Sequence, residues 1–201
     1  MGEIMNLVTA THYAEKCFAW LLPYCQKQHL NGSIAVAGSV RRRRPACNDV
    51  DLVCIPERIE ERDMLGAVIR SENLLVKFLQ EYVAKSSGAR FLSGGERHDG
   101  KLMSIQLPKC QLDVFFAEPE NFGSRLLCRT GSKEHNIYIV EHAKRRGDCW
   151  KPYEGVFTGG EWRKSNGQDV YVGGRCIAGA TEAEIFTALD LPFIEPERRE
   201  R

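Results

Sequence analysis

Two short apolar runs, residues 33–37 (SIAVA) and 50–55 (VDLVCI), flank the segment GSVRRRRPACND, and that arrangement restricts the fold more than any other feature. Each run has the length and β-branched content of a buried strand. Asn31-Gly32 marks a turn before the first run, and Gly38-Ser39 marks one after it. Side chains at i and i+2 on a strand share a face, so Asp49 and Asp51 lie side by side while Val50 and Leu52 turn the other way. The chain must therefore hold two carboxylates at the margin of a buried sheet.

The remaining pattern places helices around such a sheet. Tyr13, Ala14, Cys17, Phe18, Trp20, Leu21 and Tyr24 recur close to helical spacing and predict a helix over 11–24. Residues 57–84 are predicted helical, with a break near Gly66 or Ser71. Residues 101–107 and 111–116 predict two strands joined at Pro108-Lys109. Helices are expected near 119–128 and over 132–146, the second ending at Gly147. Beyond Asp148 short strands alternate with glycine turns: 150–157, then Gly159-Gly160, then 170–177. Thr181 and Glu184 have the spacing of a capping box for a last helix, which Pro192 ends. The expected architecture is α+β: a mixed sheet flanked by helices over residues 1–119, then a small α+β domain over 120–201.

Hydrophobic residues at 43% and charged residues at 27% exclude wholesale disorder and a coiled-coil rod. No run approaches the ~18 consecutive apolar residues of a membrane span. Glu3, His12, Glu15 and Lys16 interrupt the N-terminal stretch, so it is not a secretory signal. Asn6 stands where a myristoylation signal needs Ser or Thr. An intracellular protein is expected. With 28 basic against 27 acidic residues, bulk charge does not mark a nucleic-acid binder. Local clusters at residues 41–44 and 144–146 matter more. The eight cysteines form no C-x-x-C pair, which argues against a zinc knuckle and for reduced thiols. His12, His29, His98, His135 and His142 show no metal-ligand spacing; of these, His135 lies closest to Thr130-Gly131-Ser132.

Two adjacent carboxylates repel unless a cation sits between them. Mg²⁺ selects oxygen ligands of this kind and commonly completes its shell with substrate phosphates. Gly38 lets the backbone approach a phosphate, Ser39 offers a hydroxyl and an amide, and the arginines supply fixed positive charge. Asp113, in the strand QLDVFF, is a third carboxylate for the same sheet. A D-x-D alone is ordinarily a solvated strand end, and an arginine run an exposed face. Their combination with a Gly-Ser turn points to two metals on three carboxylates, an arrangement suited to in-line phosphoryl transfer.

GSVRRRRPACNDVD resembles the G-S-x-R-R…D-x-D signature of nucleotidyltransferases, with the spacing of the family X DNA polymerases (the polymerase beta superfamily). QLDVFFAEPENFGSRLLCRTGSKEHN resembles that family's palm-to-thumb segment. AKRRGDCWKPYEGVF and TEAEIFTALDLPFIEPERRE look like the thumb of its bacterial members. The resemblance covers about residue 10 to the end. It implies a nucleotidyltransferase palm over 1–119 and a thumb over 120–201. It also implies that Asp49, Asp51 and Asp113 bind two Mg²⁺ ions, for which Mn²⁺ substitutes, and that Asp113 helps deprotonate a primer 3′-hydroxyl. Gly38, Ser39 and Arg42 match the triphosphate turn, Thr130 and Gly131 the turn against which the sugar packs, and Asn136 the residue that reaches the incoming base. Cys128 and Arg129 stand where the family usually has an aromatic pair lining the sugar pocket. Gln111 replaces an Arg often found two residues before the third Asp, and Ile137 and Val140 replace polar or basic thumb positions. The lyase, fingers and phosphoesterase domains of larger members are not expected. The nearest architecture is the minimal palm-plus-thumb polymerase of a large DNA virus, so a viral or phage origin is expected.

The function expected from the resemblance is template-directed addition of dNMP from dNTP to a primer, in short-gap DNA repair, by a monomer working on primer-template or gapped DNA. The alternative is a nucleotidyltransferase that works without a template or on RNA or a small acceptor. With a net charge of only +1, DNA binding is expected to rest on patches around Arg43, Arg44, Lys144 and Arg145.

Overall fold

The computed structural model describes residues 4–27, 32–95 and 101–200; Asn31, His29 and His98 lie outside them. The chain divides into two compact units, Met1–Glu118 and Pro119–Arg201. The fold is α+β. Among the described residues no helix is long and apolar enough to cross a membrane.

The first unit is built on a five-stranded mixed sheet. Its strands run in the order Ile34–Val36, Val50–Cys54, Gln111–Phe116, Leu102–Gln106, Arg90–Ser93. Only Val50–Cys54 and Gln111–Phe116 pair in parallel; their neighbours are antiparallel. The helix Leu7–Leu21 lays Ala10, Ala14, Cys17 and Leu21 into the core at i+4 and i+3 steps. It begins earlier than its apolar spacing suggested, because the Asn6 side chain caps it by accepting from the Thr9 amide at 2.9 Å. The Pro23-containing turn Leu22–Tyr24 ends it. The helix Leu74–Lys85 contributes Leu75 and Leu79, and its Phe78 stacks on Tyr24 at 3.9 Å between centroids.

Two expectations for this unit fail. Residues 57–73 are not helical but form a hairpin, Arg58–Arg62 against Val68–Asn73, before the helix begins. Asp63 makes the turn: its carboxylate accepts from the Leu65 and Ala67 amides, both at 2.9 Å, and Gly66 takes φ +84°. Such Asx chemistry competes with a helix locally. Asn73 then caps the true helix from the Val76 amide. The strand Arg90–Ser93 was not anticipated, since only Phe91 of its residues packs on the core.

In the second unit, helices Phe122–Thr130 and Lys133–Arg145 pack with a three-stranded antiparallel sheet and the helix Glu182–Ala188. Trp150, Ile139, Val156, Ile185 and Phe186 lie in its core. The capping box is present: Thr181 Oγ1 accepts from the Glu184 amide at 3.1 Å, and Glu184 accepts from the Thr181 amide at 3.4 Å. Gly159-Gly160 is not a turn. The strands run on as Gly155–Ser165 and Gln168–Ala178, and turn at Asn166-Gly167, both with positive φ as a tight hairpin requires. Gly160 is needed for a different reason: the Tyr171 ring lies where a Cβ would go, and the Tyr171 hydroxyl accepts from the Gly160 amide at 2.8 Å.

Arg199 is fully buried and donates to Glu182 at 2.7 Å, while its carbonyl accepts from the Ser132 hydroxyl, also at 2.7 Å. Removing one partner of a buried ion pair strands the other charge. Glu182→Gln is therefore expected to lower unfolding free energy by about 3–5 kcal/mol, measured by urea titration.

Candidate active site

The register of the central strands brings the acidic residues together. Asp51 stands directly across the parallel ladder from Asp113, and Asp49 lies two residues before Asp51. Oxygens of all three carboxylates lie within 4.8 Å of one another, and all three side chains are half-buried. Burial raises the Asp49 pKa, and the Asp113 charge raises it further against a backbone hydrogen bond that lowers it. A raised carboxyl pKa means that the ion-free protein gains stability as the pH falls through it, because the folded state then binds the extra proton. A divalent cation reverses that preference. Three hard oxygen donors with mutual repulsion suit Mg²⁺ or Mn²⁺.

Asp113 is held by two groups. Ser104 Oγ donates to its Oδ1 at 2.5 Å from the neighbouring strand, and Gln111 Nε2 donates to it at 3.1 Å from Asp113's own strand. Ser104 was not singled out in the sequence. Its only signal is position, since it pairs directly opposite Asp113. Gln111, where the resemblance led to an Arg, orients the carboxylate with a neutral donor.

Gly38 closes the site on its other side. It opens a single helical turn, Gly38–Arg41, at φ +60°. A Cβ there would fall on the Asp51 carboxylate, 2.7 Å from Cγ. Ser39 Oγ is shielded from solvent and has no protein hydrogen-bond partner. A buried hydroxyl left in that state is a place for a ligand acceptor or donor. Arg42 caps the turn, donating its amide to the Gly38 carbonyl at 3.2 Å, and Arg43 takes φ +56° beyond it. Arg43 and Arg44 are exposed.

The remaining candidates lie in the second unit. Thr130 is fully buried at the end of its helix, and Gly131 follows at φ +71°. Asn136 Nδ2 donates to the Cys128 carbonyl at 2.8 Å, while its Oδ1 is shielded and unpartnered. Cys128 is half-buried, and burial raises its pKa. Arg129 bonds the Tyr153 hydroxyl and lies over that ring at 5.1 Å. Lys144 is paired with Asp169, and Arg145 is exposed. His135 is fully buried, stacked between Tyr138 and Phe186, so it faces the core of its own unit. Ile137 is exposed, whereas Val140 packs against the core.

Residues 125–200 match the family model of the DNA polymerase beta thumb. The chain is 25% identical over 164 residues to the DNA polymerase/3′-5′ exonuclease PolX of Bacillus subtilis (strain 168), covering 82% of this chain and 24% of that protein. It is 26% identical over 180 residues to DNA polymerase lambda of Rattus norvegicus, covering 84% of this chain and 29% of that one. The chain thus spans less than a third of the length of these relatives.

Proposed function

We infer that the chain belongs with the family X DNA polymerases and, from that premise, propose that it is a template-directed DNA polymerase that adds dNMP to a primer 3′-hydroxyl, filling short gaps during DNA repair inside the cell. The first unit is the palm and the second the thumb. The observation that carries this is the three-carboxylate cluster set against a Gly-Ser turn whose hydroxyl has no protein partner. A solvated strand end has no reason to bury that hydroxyl beside a glycine that leaves no room for a side chain.

Asp49, Asp51 and Asp113 would hold two Mg²⁺ ions. Bound there, the ions neutralise phosphate charge and favour the ionised 3′-hydroxyl. The rest of the work falls to the chain. Ser39 and Arg42 hold the triphosphate, Gly38 admits it, and Gln111 and Ser104 aim the Asp113 carboxylate for proton removal. Asn136 Oδ1 is available to a donor on the base or sugar edge, and Thr130 with Gly131 forms the wall against the sugar. Positioning and fixed charge account for most of the rate in such transfers. Arg43, Arg44, Lys144 and Arg145 contact DNA phosphates, with Lys144 exchanging Asp169 for one of them. The protein acts as a monomer.

Extension of a labelled primer on gapped, recessed and single-stranded DNA, with each dNTP alone, tests this. The expected result is addition of the complementary nucleotide, best in a short gap. Equal addition of all four, or addition only to RNA, points instead to a template-independent or RNA-directed transferase.

The sugar pocket yields a further expected result. Cys128 is smaller than an aromatic residue, and Arg129 is engaged with Tyr153. Cys128→Tyr is expected to raise dNTP-over-rNTP selection by ~10–200-fold, the range a single steric contact supplies. The ratio of kcat/KM for dGTP and GTP in the two proteins measures it.

A further inference from the structure

The last turn of the helix Lys133–Arg145 meets the tip of the long hairpin in the second unit, and there one carboxylate takes two ammonium groups. Lys144, from the helix, pairs with Asp169 Oδ2. Lys164, directly across the hairpin ladder from Asp169, lies 2.9 Å from its Oδ1. All three side chains reach solvent. We propose that Lys144 and Lys164 form a seat for one backbone phosphate of DNA, which Asp169 fills in the free protein and a phosphodiester displaces. This rests on the DNA-binding reading above, and adds to it a second DNA-contacting element, the hairpin, and an internal competitor for the contact.

Three observations carry the assignment. First, the oxygens match. Each Asp169 oxygen meets a different ammonium, and a phosphodiester likewise presents two non-bridging oxygens that share one negative charge. Second, the seat does not depend on its occupant. Lys144 Nζ lies over the Trp162 ring, 5.1 Å from the centroid, and keeps that attraction when the carboxylate leaves. The ring is itself fixed, because Trp162 Nε1 donates to the Asp148 carbonyl at 3.1 Å and Tyr171 packs edge-on at 5.3 Å. Third, the occupant is exchangeable. Hydrogen bonds from Lys144 and Lys164 hold the Asp169 carboxyl at a pKa of about 2, so it competes as an anion at any working pH. Exposed ion pairs of this kind are nevertheless weak, whereas a DNA phosphate brings the added gain of counterion release.

A staple between hairpin and helix has the opposite signature. If Asp169 served to hold the two lysines in place, loss of its charge would loosen the seat and weaken DNA binding. As a competitor, Asp169 weakens binding by being there, and loss of its charge strengthens it.

The test measures the affinity of the full chain for one-nucleotide-gapped DNA over a series of salt concentrations. Asp169→Asn is expected to bind about 2–30-fold more tightly at low salt, the range that release of two exposed ion pairs covers. Glu161→Gln makes the same charge change on the opposite face of the hairpin, where Glu161 pairs with Arg163, and should leave affinity within ~2-fold. Lys164→Met should weaken binding alike on every sequence and reduce the magnitude of the salt slope by about 1. Binding of a dNTP should be the same in all three variants. The proposal is overturned by unchanged or weaker DNA binding in Asp169→Asn, by an equal gain in Glu161→Gln, or by a gain for dNTP in place of DNA. An unaltered protein that does not bind the gapped DNA at all removes the DNA-binding reading itself, and the seat with it. Should Asp169→Asn fail to fold, Lys164→Met decides alone, and an unchanged salt slope is then the contrary result.

Discussion

Asp113→Asn is expected to lower polymerase turnover by at least ~10³-fold, the scale on which single charged groups act in phosphoryl transfer, while the protein stays folded. The amide retains a carbonyl oxygen that can accept from Ser104 and Gln111, so the local hydrogen bonds at 2.5 and 3.1 Å have a replacement acceptor. What disappears is one negative charge at the carboxylate cluster and, on the proposed function, the group assigned to take the 3′-hydroxyl proton. Stability should not fall, because Asp113 is one of the charges that disfavour ionisation of Asp49. The two readouts together are diagnostic. Steady-state incorporation in a one-nucleotide gap should collapse, and the urea midpoint in the absence of divalent ions should hold or rise. A folded Asp113→Asn protein that keeps most of its activity removes the assignment.

Gly38→Ala is the second large effect, and it arises from the backbone rather than from charge. At φ +60° an alanine costs roughly 1–2 kcal/mol of strain. More importantly, its methyl would land on the Asp51 carboxylate, which must then turn away from the cluster. A displacement on the order of 1 Å at a positioning group costs ~10²-fold in rate, and here the displaced group is itself one of the carboxylates proposed to hold the metal. The expected pattern is a loss of ~10²-fold or more in kcat/KM for dNTP and weaker Mn²⁺ binding. The melting temperature should move only modestly. Unchanged Mn²⁺ affinity in Gly38→Ala would show that the turn and the carboxylates are not one site.

These two expectations differ in how far they were visible beforehand. The D-x-D pairing needed only the period of a strand, and Asp113 only a later strand with an acid at its start. What the sequence did not disclose is the register that sets Asp51 directly opposite Asp113. Parallel pairing is decided by the whole sheet, not by either strand. Ser104 and Gln111 were invisible as a pair for the same reason, since their convergence on one oxygen depends on that ladder. The helix capped by Thr181 was legible because capping chemistry is local. The hairpin at residues 58–73 was misread because the deciding interaction is the Asp63 side chain on its own turn. The long hairpin of the second unit was misread at Gly159-Gly160. There glycine answers the Tyr171 ring across the ladder, a contact with no local signature.

The central claim is that the three carboxylates and the Gly38-Ser39 turn together hold metal ions and a nucleotide triphosphate. Anomalous diffraction from crystals grown with Mn²⁺, a non-hydrolysable dNTP analogue and one-nucleotide-gapped DNA measures this most directly. The account predicts two manganese peaks among Asp49, Asp51 and Asp113, with Ser39 Oγ bonded to a phosphate oxygen of the analogue. A nucleotide bound without manganese at these aspartates, or with its phosphates away from Ser39, would contradict it.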